Sequence, residues 1–73
     1  MNVTTLAAVV HKEGTIYVAE CPQVGTVSQG YTIEEAVANL KEATEVYLEE
    51  FPEKLSCLEN PRPVLTTFEA ICA

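Results

Sequence analysis

The sequence predicts an α+β domain in which a small, mostly antiparallel sheet carries one helix on one face, in the order βββαβ. Three observations lead there. Between Ile33 and Glu50 the apolar residues recur with the period of an α-helix, behind a Thr32 that is placed as an N-cap. Before that stretch, apolar and polar residues alternate in short runs separated by glycine-bearing turns. After it, beyond a proline-bearing connector, Val64 to Cys72 returns to a period of two.

The first strand is expected over Val3 to Val10, with Leu6, Ala8 and Val10 on one face. Lys12-Glu13-Gly14 reads as a turn, and Thr15 to Glu20 as the second strand, Ile16 and Val18 on one face and Tyr17 and Ala19 on the other. These two form a hairpin. Pro22 and Gly25 frame a loop, and Gly25 to Gln29 supplies a short third strand led by Val24 and Val27.

The helix is the best-specified element. Gly30 and Tyr31 break the strand pattern, Thr32 caps, and Glu35, three residues on, can return its carboxylate to the Thr32 backbone N–H as a capping box. Tyr31 is placed to staple onto Ala36. Ile33, Ala36, Val37, Leu40, Ala43, Tyr47, Leu48 and Phe51 fall on one arc, and Glu34, Glu35, Glu42, Glu45 and Glu49 on the other. Pro52 stops the helix, because its ring disfavours helical geometry at Phe51. Pro52 to Pro63 reads as a connector with a helical turn around Glu53 to Leu58. In the last strand, Val64 to Cys72, residues Val64, Phe68, Ala70 and Cys72 share a face; a helical crossover favours its parallel pairing with the first strand.

With 73 residues the chain is read as a single domain, 1–73, near the lower size at which one core sustains folding without a metal or disulfides. A homodimer or higher homo-oligomer is therefore expected. Cys21, Cys57 and Cys72 are odd in number and widely spaced, which argues against a disulfide framework or zinc site and for small buried hydrophobes in a reducing compartment. The apolar run Leu6 to Val10 is short and has no basic leader, so neither a signal peptide nor a membrane anchor is expected. The expected location is the cytoplasm.

The net charge is −7, from eleven acids, all Glu, against Lys12, Lys41, Lys54 and Arg62. Four bases cannot build the cationic stripe that a phosphate backbone needs, which excludes direct nucleic-acid binding. The same charge suits a basic protein partner. Two-metal phosphodiester chemistry commonly relies on Asp, and the chain has none; Glu13, Glu20 and Glu69 sit on separate turn and strand positions. His11 ends the first predicted strand beside Lys12, with no nucleophile spaced to use it. Tyr17, Tyr31 and Tyr47 read as packing residues with wet hydroxyls, since no bases interleave with them. No catalytic, cofactor-binding or metal-binding residue is expected.

The acidic helix arc is the candidate binding site. Glu45 and Glu49 are like charges at i,i+4 and Glu42 and Glu45 at i,i+3, each pair costing a few tenths of a kcal/mol, offset only in part by Lys41. A face that disfavours its own helix is explained if it meets a basic surface. Glu42, Glu45, Val46 and Glu49 are the partner-binding residues this argument selects.

Ser28-Gln29-Gly30, Thr32, Glu35-Ala36 and the step Asn39-Leu40-Lys41-Glu42-Ala43, with Tyr17-Val18-Ala19-Glu20 and Pro22 upstream, resemble the HicB family of antitoxins from prokaryotic toxin–antitoxin modules. The resemblance runs from the second strand through the helix to the final strand. It implies a trimmed ribonuclease H-like fold, and a function of neutralising a small, basic, RNA-cleaving toxin of the HicA type by covering its active surface, with no reaction catalysed. Many members continue into a segment that binds operator DNA; this chain is read as lacking one. The alternative is a stand-alone homo-oligomeric interaction or scaffold domain that keeps the fold without a toxin. A remnant of a metal-dependent nuclease is the third reading.

Overall fold

The structure, a computed structural model, describes residues 3–55 and 66–72. Its first element forms where glycine permits a reversal. Strand β1 (Val9–Glu13) pairs antiparallel with β2 (Ile16–Cys21), Glu13 opposite Ile16 and Val9 opposite Glu20, which leaves Gly14 and Thr15 as a two-residue turn. Gly14 takes φ 61° while no described non-glycine residue has positive φ, the arrangement of a type II′ hairpin with glycine first. The turn thus lies later than the expected Lys12-Glu13-Gly14, and β1 is Val9–Glu13 rather than Val3 to Val10.

Residues 3–8 form no strand because β2 gives them nothing to pair with. It ends at Cys21, and Pro22 opens the next turn. The Ala7 backbone N–H instead donates to Gln23 Oε1 at 3.0 Å. The Gly25 N–H closes that turn on the Cys21 carbonyl at 2.7 Å with φ 94°, and β3 (Thr26–Gly30) returns antiparallel to β2, Thr26 opposite Cys21 and Gly30 opposite Tyr17. The sheet order is β1-β2-β3.

Helix α1 (Ile33–Glu50) covers one face of this sheet. The register places Val10, Tyr17, Ala19, Cys21, Thr26, Ser28 and Gly30 on the helix side and Val9, His11, Glu13, Ile16, Val18, Glu20 and Val27 on the other. The core is small: Ala19, Cys21, Ala36 and Leu40 are buried, with Leu6, Val10, Tyr17 and Val24 packed around them. A 3₁₀ turn at Pro52–Lys54 follows the helix; it takes up the start of the turn expected over Glu53 to Leu58, of which residues 56–58 lie outside the described residues.

The fold is therefore α+β, a three-stranded antiparallel sheet followed by one helix. The fifth element of the expected βββαβ order is corrected. Val64 lies outside the described residues, and residues 66–72 form no strand and are exposed throughout. Their alternation expresses a preference for extended backbone, but pairing must come from a distant partner strand, and no local signal supplies one. Cys72 is accordingly exposed rather than half-buried, whereas Cys21 is buried as expected; Cys57 lies outside the described residues.

Candidate functional site

The rotation of α1 about its own axis decides which residues it offers to solvent, and the reciprocal cap together with three contacts to β3 fixes it. Thr32 Oγ1 accepts the Glu35 N–H at 3.0 Å, while Glu35 Oε1 accepts the N–H of Tyr31, also at 3.0 Å. The expected return to the Thr32 N–H is thus shifted by one residue, and the helix start is clamped to the end of β3. At Gly30 a Cβ would lie 2.6 Å from the Ala36 nitrogen, so the helix rests on the strand at a distance only glycine permits. One turn on, Asn39 Nδ2 donates to the Gln29 carbonyl at 2.8 Å. Two turns on, the hydroxyls of Thr26 and Thr44 meet at 2.6 Å.

These contacts point Ala36, Leu40 and Thr44 inward and Glu34, Ala38, Glu42, Glu45 and Glu49 outward. Glu42, Glu45 and Glu49 lie together along the exposed ridge. Val46 is 49% exposed but sits to one side, on the flank that carries Asn39 toward β3. Lys41 Nζ lies 3.4 Å from Glu45 Oε2, with both side chains largely in water. The last helical turn has no basic residue, so the partial negative charge of the helix C-terminus adds to Glu49 and Glu50 instead of being offset. Such a ridge attracts cationic groups over roughly a Debye length, about 8 Å at physiological salt.

Several surroundings of the ridge differ from expectation. Tyr31 does not staple Ala36: its side chain stands 74% exposed, and the Gly30 backbone closes over Ala36 instead. Ile33, Val37 and Phe51, placed on the packing arc by period, are partly exposed at its margins. Thr44 is buried although polar, because its hydroxyl is satisfied by Thr26. The helical period marks Thr44, four residues after Leu40; only its polarity hid it. Tyr47 stacks on Phe51 with ring centroids 4.9 Å apart, and Lys12 lies 5.9 Å over the Tyr17 ring.

A second surface was not foreseen. Because α1 lies mainly over β3 and β2, the β1 side of the helix is left open, and an apolar groove of about 620 Å³ runs between it and residues 3–8. Leu6, Val37, Leu40, Leu48 and Leu55 line it, with Lys41 and Glu45 at its rim. On the opposite face of the sheet, His11 stands exposed within β1 rather than at its end, its Nε2 3.8 Å from Glu13 Oε2. Among the described residues no three His, Cys or acidic side chains converge to hold a metal ion, and no helix is long and apolar enough to cross a membrane. Compared with family models, curated proteins and solved structures, the chain matches none.

Proposed function

We propose that this chain is an antitoxin-like protein-binding domain that masks a small basic partner, as its resemblance to the HicB antitoxins implies, through the acidic ridge of α1. The observation that carries the reading is the ridge itself. Glu42, Glu45 and Glu49 stand exposed along one line of a helix whose rotation is fixed by the reciprocal cap and three contacts to β3, and only Lys41 among the described bases pairs with any of them. Exposed ion pairs contribute about 0–1 kcal/mol each, so a useful interface needs several on one rigid element. The ridge provides that arrangement. Binding would mask the partner sterically, with charge complementarity setting encounter rate and register. The ribonuclease H-like relationship of the fold belongs to the same proposal and is supported by the hairpin, the third strand and the helix in that order.

The second reading, a homo-oligomeric scaffold domain without a toxin, is favoured by a different observation, the open groove on the other flank of the helix and the outer edge of β1, which pairs with no strand among the described residues. Co-expression with a short basic protein encoded beside it, followed by co-purification and titration at low and high salt, separates the two. A complex that weakens as salt rises supports masking. Absence of any complex with that neighbour, in a folded sample, removes it.

A further inference from the structure

Cys21 is 2% exposed, yet the sheet flanks it on one side only. Thr26 pairs with it on β3, whereas the register of β1 with β2 ends at Val9 opposite Glu20 and leaves no β1 residue beside it. Residues 3–8 take that place without forming a strand. Little holds them there. The Leu6 side chain packs against the core cluster to which Cys21 belongs, and among the described residues the segment's one hydrogen bond runs from the Ala7 N–H to Gln23 Oε1 at 3.0 Å. The same oxygen lies 3.7 Å from Cys21 Sγ, so a single acceptor serves both the segment and the thiol beneath it. Val3 stands 90% exposed, and Thr5 and Ala8 are exposed as well.

We propose that residues 3–8 are a detachable strap: they leave as a unit, by withdrawing Leu6 and breaking the Ala7–Gln23 contact, and this opening bares Cys21 Sγ while the three strands and α1 stay folded. The two ways of reaching the thiol differ in what they forfeit. Releasing the strap gives up one hydrogen bond and the burial of one leucine, whereas unfolding the domain also gives up both strand ladders and the packing of α1 on them. Local opening is therefore the more frequent event, as for any segment with few buried contacts and few protected backbone bonds. Closed, Cys21 behaves as a small core hydrophobe. Open, its sulfur meets water beside Gln23 and reacts as an accessible thiol does. The strap thus sets when Cys21 can be modified, and this stands or falls apart from the masking function.

Alkylation of the full chain with excess iodoacetamide, followed at Cys21 alone by peptide mass, tests it. In the wild type Cys21 should react far more slowly than the exposed Cys72, at a rate nearly flat in low urea, because strap opening exposes little surface. Gln23→Ala should raise the Cys21 rate about fivefold and Leu6→Ala roughly tenfold, with the amides of α1 keeping their protection from exchange. Thr32→Ala weakens the cap of α1 and touches no strap residue, so it should leave the Cys21 rate unchanged although global stability falls. That variant keeps the test sound where Leu6→Ala also weakens the whole domain. A Cys21 rate that climbs with urea as steeply as global unfolding, or that rises in Thr32→Ala in proportion to its lost stability, means that only unfolding bares the thiol and overturns the proposal. Labelling of Cys21 as fast as Cys72, or a rate indifferent to both Gln23→Ala and Leu6→Ala, overturns it as well.

Discussion

Gly30 and Thr32 hold the start of α1 by different means, and their substitutions should differ accordingly. A methyl group at residue 30 would meet backbone and Cβ atoms of Glu35 and Ala36 at 2.6–2.9 Å, and neither neighbour is a flexible side-chain end that could move aside. Gly30→Ala should therefore lower the urea-derived unfolding free energy by roughly 1–3 kcal/mol, the usual cost of forcing a methyl into a packed site. Thr32→Ala removes one cap and should cost about 1 kcal/mol. Neither residue lies on the acidic ridge, so partner affinity should survive both wherever the domain stays folded. Loss of binding by Thr32→Ala without loss of stability would place the cap in an interface. Thr44 marks the limit of reading single residues from sequence: the helical period assigns it to the core, but its pairing with Thr26 depends on where β3 lies, which is a tertiary fact.

Among the elements, α1 was legible because everything that defines it is local: a cap, a carboxylate three residues later, a 3.6-residue period and a terminating proline. The ridge of Glu42, Glu45 and Glu49 was legible for the same reason, since period alone places it opposite Leu40. The strands were located less well. Gly14 decides the hairpin register through one positive φ, and choosing between the turns available around it requires knowing which residues of β2 pair. The last strand was misread because its alternation is real while residues 66–72 pair with no strand among the described residues. The groove had no sequence signal at all, as it arises from where α1 sits across the sheet. One consequence for the helix follows from charge. Glu50 lies at a C-terminus with no base in the last turn, so Glu50→Lys should stabilise the domain by about 0.3–1 kcal/mol, seen as a rise of a few degrees in Tm at low salt and a smaller one at high salt. An unchanged Tm at low salt would mean that this helix end is already neutralised.

On the scale of the whole molecule, the net charge of −7 and the local ridge make different predictions about the same complex. If the partner is drawn by overall charge, any surface carboxylates will serve; if it docks on α1, position matters. Two double substitutions separate these cases. Glu42→Lys with Glu49→Lys changes the ridge, and Glu13→Lys with Glu20→Lys changes the far face of the sheet. Each change of Glu to Lys adds two positive units, so both variants move from −7 to −3. All four residues are exposed, so neither fold should suffer, and the ridge pair should relieve repulsion among the helix carboxylates. Docking on α1 predicts that the ridge variant weakens a basic partner's affinity at least tenfold, chiefly through faster dissociation, while the sheet variant slows association modestly and leaves dissociation unchanged. Steering by net charge alone predicts equal, salt-sensitive losses in association rate for both. Equal losses would remove the helix ridge from the mechanism, and an unchanged ridge variant would remove charge complementarity with it.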